Sequence, residues 1–539
     1  MNETLSAALY SSFNVTQFAR LLQNDDASPP ISVERVHGLL SGAMFLGSGT
    51  LPRPSGEIAV IVTMPEAVLP SVAGLLGGRV CEPERLQHEV QSFAQTVCSL
   101  PVRLTLIVSW LAPNRYSGGL LALNPRYGLD GAVNAANAWL CEAFDAHPER
   151  RVLNASAWQK TLGEHAMSAK NWYLTKDPYS FDLWKLAVSD VKAAILSLLG
   201  RAKKLIILDL DNTLWGGELG DTGAEGLRLG GHDPVGEAYS AFQRELVTLA
   251  HRGVALGIAS KNDEALALSA IDKHPEMIVR RDTLAGWIID WEEKAANIRK
   301  LCARIGIAPS DALFIDDNPA ERAAVAAAIP ELTVPAWPAN PMLFVESLRR
   351  LNVFDVPEVT AEDLARTRNY VAARALACEP RGVQTSIEVR RPLPADLPRV
   401  LQLLNKTNQF NLATRRFTAS QLQEWLDVEG HDLWVARAHD AFADYGIVGA
   451  LSVAVQGTVC TIVDFVMSCR VLFRGIEERM LEETRKHARE RGCRLLEATF
   501  VPTERNEPMR RFLVERSGLA NDDERHFSLD LFAALRSSA

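Results

Sequence analysis

The chain has 539 residues, too many for one hydrophobic core, so three or four domains are expected. Its composition is that of a globular protein, 47% hydrophobic and 23% charged, and no apolar run approaches the ~18 residues needed to cross a bilayer. A net charge of −9 repels phosphate backbones, so neither nucleic acid nor membrane is an expected partner.

Residues 1–200 alternate short apolar runs (EIAVIVTM, RLTLIVSWL) with helix-like stretches such as GAVNAANAWLCEAF, which predicts an α/β domain. The opening MNETLSAALY has no basic segment followed by an apolar stretch, and the eight cysteines include no C-x-x-C pair. Free thiols in the cytoplasm are the expectation.

Over 201–350 the alternation is cleaner: LIILDL, a helix carrying Tyr239, Phe242, Leu246 and Leu249 at helical spacing, VALGIAS, a further helix, then DALFID. Uniformly apolar runs separated by helices predict a Rossmann-like parallel sheet covered on both faces, with chemistry at the C-terminal strand ends. Prolines at 330, 335, 338 and 341 break this pattern, and 351–384, with a charged helix over Ala361 to Leu376, reads as a helical linker. Residues 385–539 mix helices (LPRVLQLLNKTNQF, GIEERMLEETRKHARE) with strands (IVGALSVAV, TVCTIVDFVM, LLEATFV), giving an α+β domain.

The chemistry concentrates after the apolar runs of 201–350. Asp209 ends LIILDL and is followed by Asp211 and Thr213. Residues two apart in extended backbone share a direction, so both carboxylates can face one small space, and two anions there call for a cation. Mg²⁺, a hard ion that takes oxygen ligands, fits and neutralises an incoming phosphate. One carboxylate can then attack phosphorus while the other handles the leaving-group proton. Ser260 closes VALGIAS and, with Thr213, can donate to phosphoryl oxygens; Lys294 opens a helix and can set an ammonium against them. Asp316 and Asp317 end ALFI and add oxygen ligands, completing an expected metal set of Asp209, Asp211, Asp316 and Asp317. Neither stretch that could carry an insertion, after Asp211 or between Ser260 and Lys294, is long enough for a separate cap domain.

DLDNT, Ser260, Lys294 and IDDN resemble the four motifs of the haloacid dehalogenase (HAD) superfamily. The resemblance implies Asp209 as nucleophile, Asp211 as acid/base and donor of a backbone carbonyl to the metal, Ser260 and Lys294 as phosphate ligands, and Asp316 with Asp317 on Mg²⁺. The wider text DLDNTLWGGELGDTG, with SFNVTQFARLL, NPRYGLDG, WEEKAANI, IDDNPAERAAV, NKTNQFNLATRRFT, FVMSCRVLFRGIEE and FVPTERNEP, resembles the FkbH family of polyketide and related pathways. That resemblance implies a cytoplasmic enzyme that takes 1,3-bisphosphoglycerate, removes phosphate and loads a glyceryl or related three-carbon unit onto the phosphopantetheine thiol of an acyl carrier protein. It also implies an N-terminal domain like the SGNH hydrolases; here no G-D-S block or D-x-x-H pair is present, and the serine of FLGSGT reads as a loop. Many family members carry a cysteine where Leu205 stands, so a relay thiol is absent there.

The C-terminal region resembles the GNAT acyltransferases, whose R-x-x-G-x-G/A loop cradles the coenzyme A pyrophosphate on backbone N–H groups. Here the string runs from Arg470 to Gly475 with Phe473 at the first glycine position. Arg470, Arg474 and Gly475 can hold a pantetheine phosphate or form an ordinary solvated helix end. Cys469 beside them is either an acyl-relay nucleophile or core filler. Asn408, Gln409 and Asn411, followed by Arg415 and Arg416, can line a substrate pocket or cap a helix. A stand-alone phosphatase and a GNAT-type N-acyltransferase are the alternative functions.

Overall fold

A computed structural model describes residues 4–47, 51–54, 56–113, 119–147, 149–356, 359, 386–439, 444–468, 472, 475–503, 506–521, 523 and 525–532. The chain forms two compact units, Met1–Leu198 with Asp355–Pro357, and Leu199–Phe354 with Glu358–Ala539.

In the first unit β1 (Leu5–Ser11), β2 (Ile31–His37), β3 (Ile58–Val62), β4 (Leu104–Val108) and β5 (Arg150–Leu153) make a parallel sheet in the order β2-β1-β3-β4-β5. Every residue of β3 and β4 is buried, as expected for parallel strands covered on both faces. The polar side chains at the strand ends are spent on the unit's own frame. Ser11 Oγ accepts the Phe13 N–H, Thr63 Oγ1 accepts the Trp110 indole N–H and Ser109 Oγ accepts the Ala155 N–H. All three are buried. The serine of FLGSGT lies outside the described residues.

The second unit opens with β6 (Leu205–Leu208), β7 (Ala255–Ser260), β8 (Leu284–Ile289) and β9 (Ala312–Ile315), all parallel, in the order β8-β7-β6-β9. Alternate residues of one strand feed opposite cores. Ile206 and Leu208 pack with Phe242, Leu246 and Ile271 on one face, while Leu205 and Ile207 pack with Ile298, Leu301 and Ile305 on the other. The strand β8 is not evident in the sequence, because Gly286 and the half-buried Trp287 interrupt its apolar run at the sheet edge. The first of these cores extends through Phe344 and Leu348 to Phe354, past the boundary expected at 350. The helix expected over 361–376 lies outside the described residues.

Between β6 and the helix Pro234–His251 the chain folds down instead of rising into a cap. Leu210, Leu214, Trp215, Leu219, Leu227 and Leu229 all enter the same core as that helix. Gly216 permits the close fit: a Cβ there would lie 2.7 Å from Tyr239 Cε2. Gln243, fully buried, locks the segment. Its Nε2 donates to the Leu214 carbonyl at 2.8 Å, and its Oε1 accepts the N–H groups of Ile278 at 2.8 Å and Val279 at 3.0 Å.

The remaining strands β10 (Ser386–Arg390), β11 (His431–His439), β12 (Asp444–Gln456), β13 (Val459–Met467), β14 (Leu495–Thr499), β15 (Ala520–Asn521) and β16 (His526–Asp530) form one sheet in the order β10-β11-β12-β13-β14-β16-β15. It is antiparallel except where Val459–Ile462 of β13 pairs with Leu495–Ala498 of β14. Beyond Ile462 the edge of β13 is taken by the segment Phe410–Leu412. Leu412 N–H donates to the Phe465 carbonyl and Met467 N–H to the Phe410 carbonyl, each at 3.0 Å.

Replacing Gln243 by Leu strips three backbone groups, those of buried Leu214 and Val279 and half-buried Ile278, of their side-chain partner. At about 1 kcal/mol or more for each unmade bond, the variant is expected to lose roughly 3 kcal/mol of stability, read as a lower urea midpoint.

Candidate active site

The ends of β6, β7 and β9 and the start of the helix Lys294–Ile305 converge on one small space. Asp209 follows β6, with its N–H bonded to the Ile315 carbonyl at 3.0 Å, so its backbone continues the sheet ladder. Lys294 reaches between two carboxylates, with Nζ 3.1 Å from Asp209 Oδ2 and 2.5 Å from Asp316 Oδ2. The Ser260 hydroxyl bonds the Asp209 carboxyl. Asp209, Ser260, Lys294 and Asp316 are all buried.

Carboxylate oxygens of Asp209, Asp316 and Asp317 lie within 4.8 Å of one another. Burial pushes the Asp209 carboxyl above its ordinary range, opposed by Lys294. Burial raises Asp316 too, reinforced by the Asp209 charge, and raises Asp317, reinforced by Asp316. Burial alone would weaken the Lys294 ammonium, but Asp209 and Asp316 outweigh it and hold its pKa above the usual lysine value. Three carboxylates against one ammonium is the charge balance of a site built for a divalent cation with oxygen ligands.

Asp211 belongs to the expected metal set, where the resemblance gives it a backbone carbonyl toward the metal. Its carboxylate lies outside the cluster of Asp209, Asp316 and Asp317 and is held by other donors. Oδ1 accepts the Trp215 indole N–H at 2.8 Å and the Leu219 N–H at 3.1 Å, and Oδ2 accepts the Asn262 amide at 3.0 Å. Thr213 is engaged with the other acidic strand end: Oγ1 accepts the Asp317 N–H at 3.0 Å and its hydroxyl faces Asp317 Oδ1 at 3.4 Å. Arg322 adds a brace by donating to the carbonyls of Asp316 at 2.6 Å and Asp317 at 2.7 Å.

Trp215, Asn262 and Arg322 stand outside the motif positions that the sequence marks. Trp215 lies four residues after Asp211 and Asn262 two after Ser260, so both were within reach of the motifs, but only packing shows which way their N–H groups turn. Asn212 was also unmarked. It has φ +55°, its Oδ1 accepts the Gly217 N–H and its carbonyl accepts the Tyr239 hydroxyl. An Asn tolerates this left-handed backbone better than most residues.

In the C-terminal domain Cys469, Arg470 and Arg474 lie outside the described residues. Gly475 is described, at φ +84° just before the helix Ile476–Glu490. Of the residues expected to line a pocket or cap a helix, Asn408 and Asn411 hydrogen-bond within the protein. Asn408 accepts from Arg416 at 2.6 Å and donates to the Gly200 carbonyl at 2.9 Å. Asn411 donates to the Thr407 carbonyl and accepts the Thr414 N–H, and its own carbonyl accepts the Asn506 amide at 3.0 Å. Gln409 is buried between them. This use follows from the insertion beside β13, whose short segment needs its turns fixed by side-chain amides.

No family model matches the sequence, and no curated protein matches it. Among solved structures, the chain shares its fold with the N-terminal part of a Bacteroides fragilis protein containing a phosphatase domain, complexed with Mg. The likeness has 23% identity and a TM-score of 0.59, and covers 66% of this chain and 95% of that one. Two smaller matches are the ribosomal-protein-S18-alanine N-acetyltransferase from Escherichia coli and a spermidine/spermine N-acetyltransferase from Vibrio cholerae in complex with manganese ions. Each is 12% identical, with TM-scores of 0.21 and 0.22; they cover 27% and 28% of this chain and 94% and 97% of theirs. Among the described residues no helix is long and apolar enough to cross a membrane.

Lys294 is the cation shared by two buried carboxylates. Lys294→Met leaves them uncompensated and is expected to destabilise the metal-free protein by about 3–5 kcal/mol, measured by urea unfolding in EDTA.

Proposed function

We propose that the chain is a Mg²⁺-dependent phosphatase that couples phosphate removal to loading of a glyceryl or related three-carbon unit, from 1,3-bisphosphoglycerate, onto the phosphopantetheine thiol of an acyl carrier protein in polyketide-type biosynthesis, in the cytoplasm. The observation that carries the phosphatase reading is the cluster of buried Asp209 and Asp316 with half-buried Asp317 around one ammonium, beside a separately held Asp211. Asp209, Asp316 and Asp317 would hold Mg²⁺, which when bound offsets the negative charge of the phosphoryl group. An oxygen of Asp209 attacks phosphorus and becomes an aspartyl-phosphate. Lys294 and Ser260 sit where they can take equatorial phosphoryl oxygens, and Asp211 exchanges the proton with the leaving group and then with water.

The acyl-transfer half is supported by the sequence resemblance over nearly the whole chain. In it Cys469 would be the relay thiol, and Arg470, Arg474 and Gly475 would hold the pantetheine phosphate. A stand-alone phosphatase is the second reading, favoured by Asn408 and Asn411 spending their amides inside the protein.

Incubation of the full chain with 1,3-bisphosphoglycerate, Mg²⁺ and holo-carrier protein is expected to add a glyceryl mass to the carrier. Asp209→Asn is expected to abolish phosphate release, by at least about a thousand-fold, and loading with it. Phosphate release that is indifferent to the carrier, with no mass gain, selects the second reading. Asp316→Asn is expected to remove most of the rise in Tm that Mg²⁺ gives the wild type.

A further inference from the structure

A carboxyl group that shuttles a proton needs one accessible lone-pair site, and a carboxylate offers about four, two on each oxygen. In Asp211 three are taken. Trp215 Nε1 and Leu219 N fill Oδ1, at 2.8 and 3.1 Å, and Asn262 Nδ2 takes one side of Oδ2 at 3.0 Å. Among the described residues no fourth donor bonds this carboxylate, which leaves the second site on Oδ2 for a proton.

The three donors are themselves fixed. The Trp215 ring is fully buried in a core with Leu214, Tyr239 and Phe242, so its N–H direction is set by packing. Leu219 begins the short helix Leu219–Thr222, and its side chain joins the same core. Asn262 is only 5% exposed, and its Oδ1 accepts the Asp263 N–H at 2.9 Å, which orients the amide so that Nδ2 faces Asp211. The donors come from two separate stretches, the folded-down segment after β6 and the turn after β7, so Asp211 is oriented only when both are in place.

We infer that Trp215 and Asn262 are positioning residues that select Oδ2 of Asp211 as the proton-carrying oxygen and aim it at the departing oxygen of the substrate. The inference rests on the phosphatase chemistry proposed above. In the first half-reaction an Asp209 oxygen forms a bond to phosphorus as the bond from phosphorus to the ester oxygen breaks. The electron pair of that bond stays on the ester oxygen, which takes the proton from Asp211 Oδ2. In the second half-reaction a water oxygen bonds to phosphorus, Asp211 recovers a proton from that water, and the bond between Asp209 and phosphorus breaks to release inorganic phosphate. A basic alkoxide cannot leave without the proton, whereas p-nitrophenolate, whose charge is delocalised, leaves without it. The clamp therefore matters in proportion to the basicity of the leaving group.

The test compares 2-phenylethyl phosphate with p-nitrophenyl phosphate, with Mg²⁺, on the full-length wild type, Trp215→Phe and Asn262→Ala. Each variant is expected to lower the ratio of kcat/KM on the alkyl ester to kcat/KM on the aryl ester at least about ten-fold, a part of the roughly 10²–10⁴-fold that general acid–base catalysis contributes. The ratio is taken in kcat/KM because that parameter reports the first half-reaction, whereas kcat also contains the hydrolysis of the aspartyl-phosphate that the two esters share. An equal fall on both esters, as a purely structural role gives, overturns the inference; so does an unchanged ratio. Wild-type turnover of p-nitrophenyl phosphate that Asp209→Asn abolishes tests the underlying reading separately. Independently of turnover, the indole N–H resonance missing from the Trp215→Phe spectrum of ¹⁵N-tryptophan-labelled protein is expected to shift upfield in Asp211→Asn. A resonance that stays in place overturns the assigned bond.

Discussion

The second unit is organised around an electrostatic imbalance: three carboxylates at two adjacent strand ends share a single buried ammonium. Leaving such charges out of water is costly unless each is paired or hydrogen-bonded, and here burial raises all three carboxyl groups. The surrounding architecture manages that cost. Arg322 braces the backbone carbonyls of Asp316 and Asp317, Thr213 caps the Asp317 N–H, and Ser260 bonds Asp209. The remaining excess of negative charge is what a divalent cation with oxygen ligands would offset.

The same packing separates two carboxylates only two residues apart. Asp209 faces Lys294 and the acidic cluster, and Asp211 faces the indole, amide and backbone N–H donors of a different sub-site. The division depends on the segment after β6 folding into the hydrophobic core. Gln243 holds this segment and Gly216 makes room for Tyr239, so elements remote from phosphorus decide which oxygen of Asp211 is available.

The C-terminal sheet illustrates a competing use of polar residues. Around Asn411 the amides look, as a string, like a binding cluster. In the fold they knit a short inserted segment to β13 and, through Asn506, to the chain at Val501. Backbone groups at the edge of a strand must find partners, and a three-residue insertion cannot supply a regular ladder on both sides. Side-chain amides make up the difference.

The sequence by itself determined where the acidic and polar strand ends of the second unit lie. Apolar runs LIIL, ALGIAS and ALFI, each followed by Asp209, Ser260 or Asp316, fix a parallel sheet with oxygen ligands at its C-terminal edge, since the period of a buried strand and the chain order of its neighbours are local properties. The order in which those strands assemble, with the interrupted strand β8 at the edge, was not local and was not visible. Nor was the assignment of Asp211 to its own clamp, because the donors Trp215, Leu219 and Asn262 meet only after the segment behind β6 and the turn behind β7 pack together. Residue types and spacing specify which groups are present; the direction of an N–H bond is settled by the side chains packed around it, and that information exists only in three dimensions.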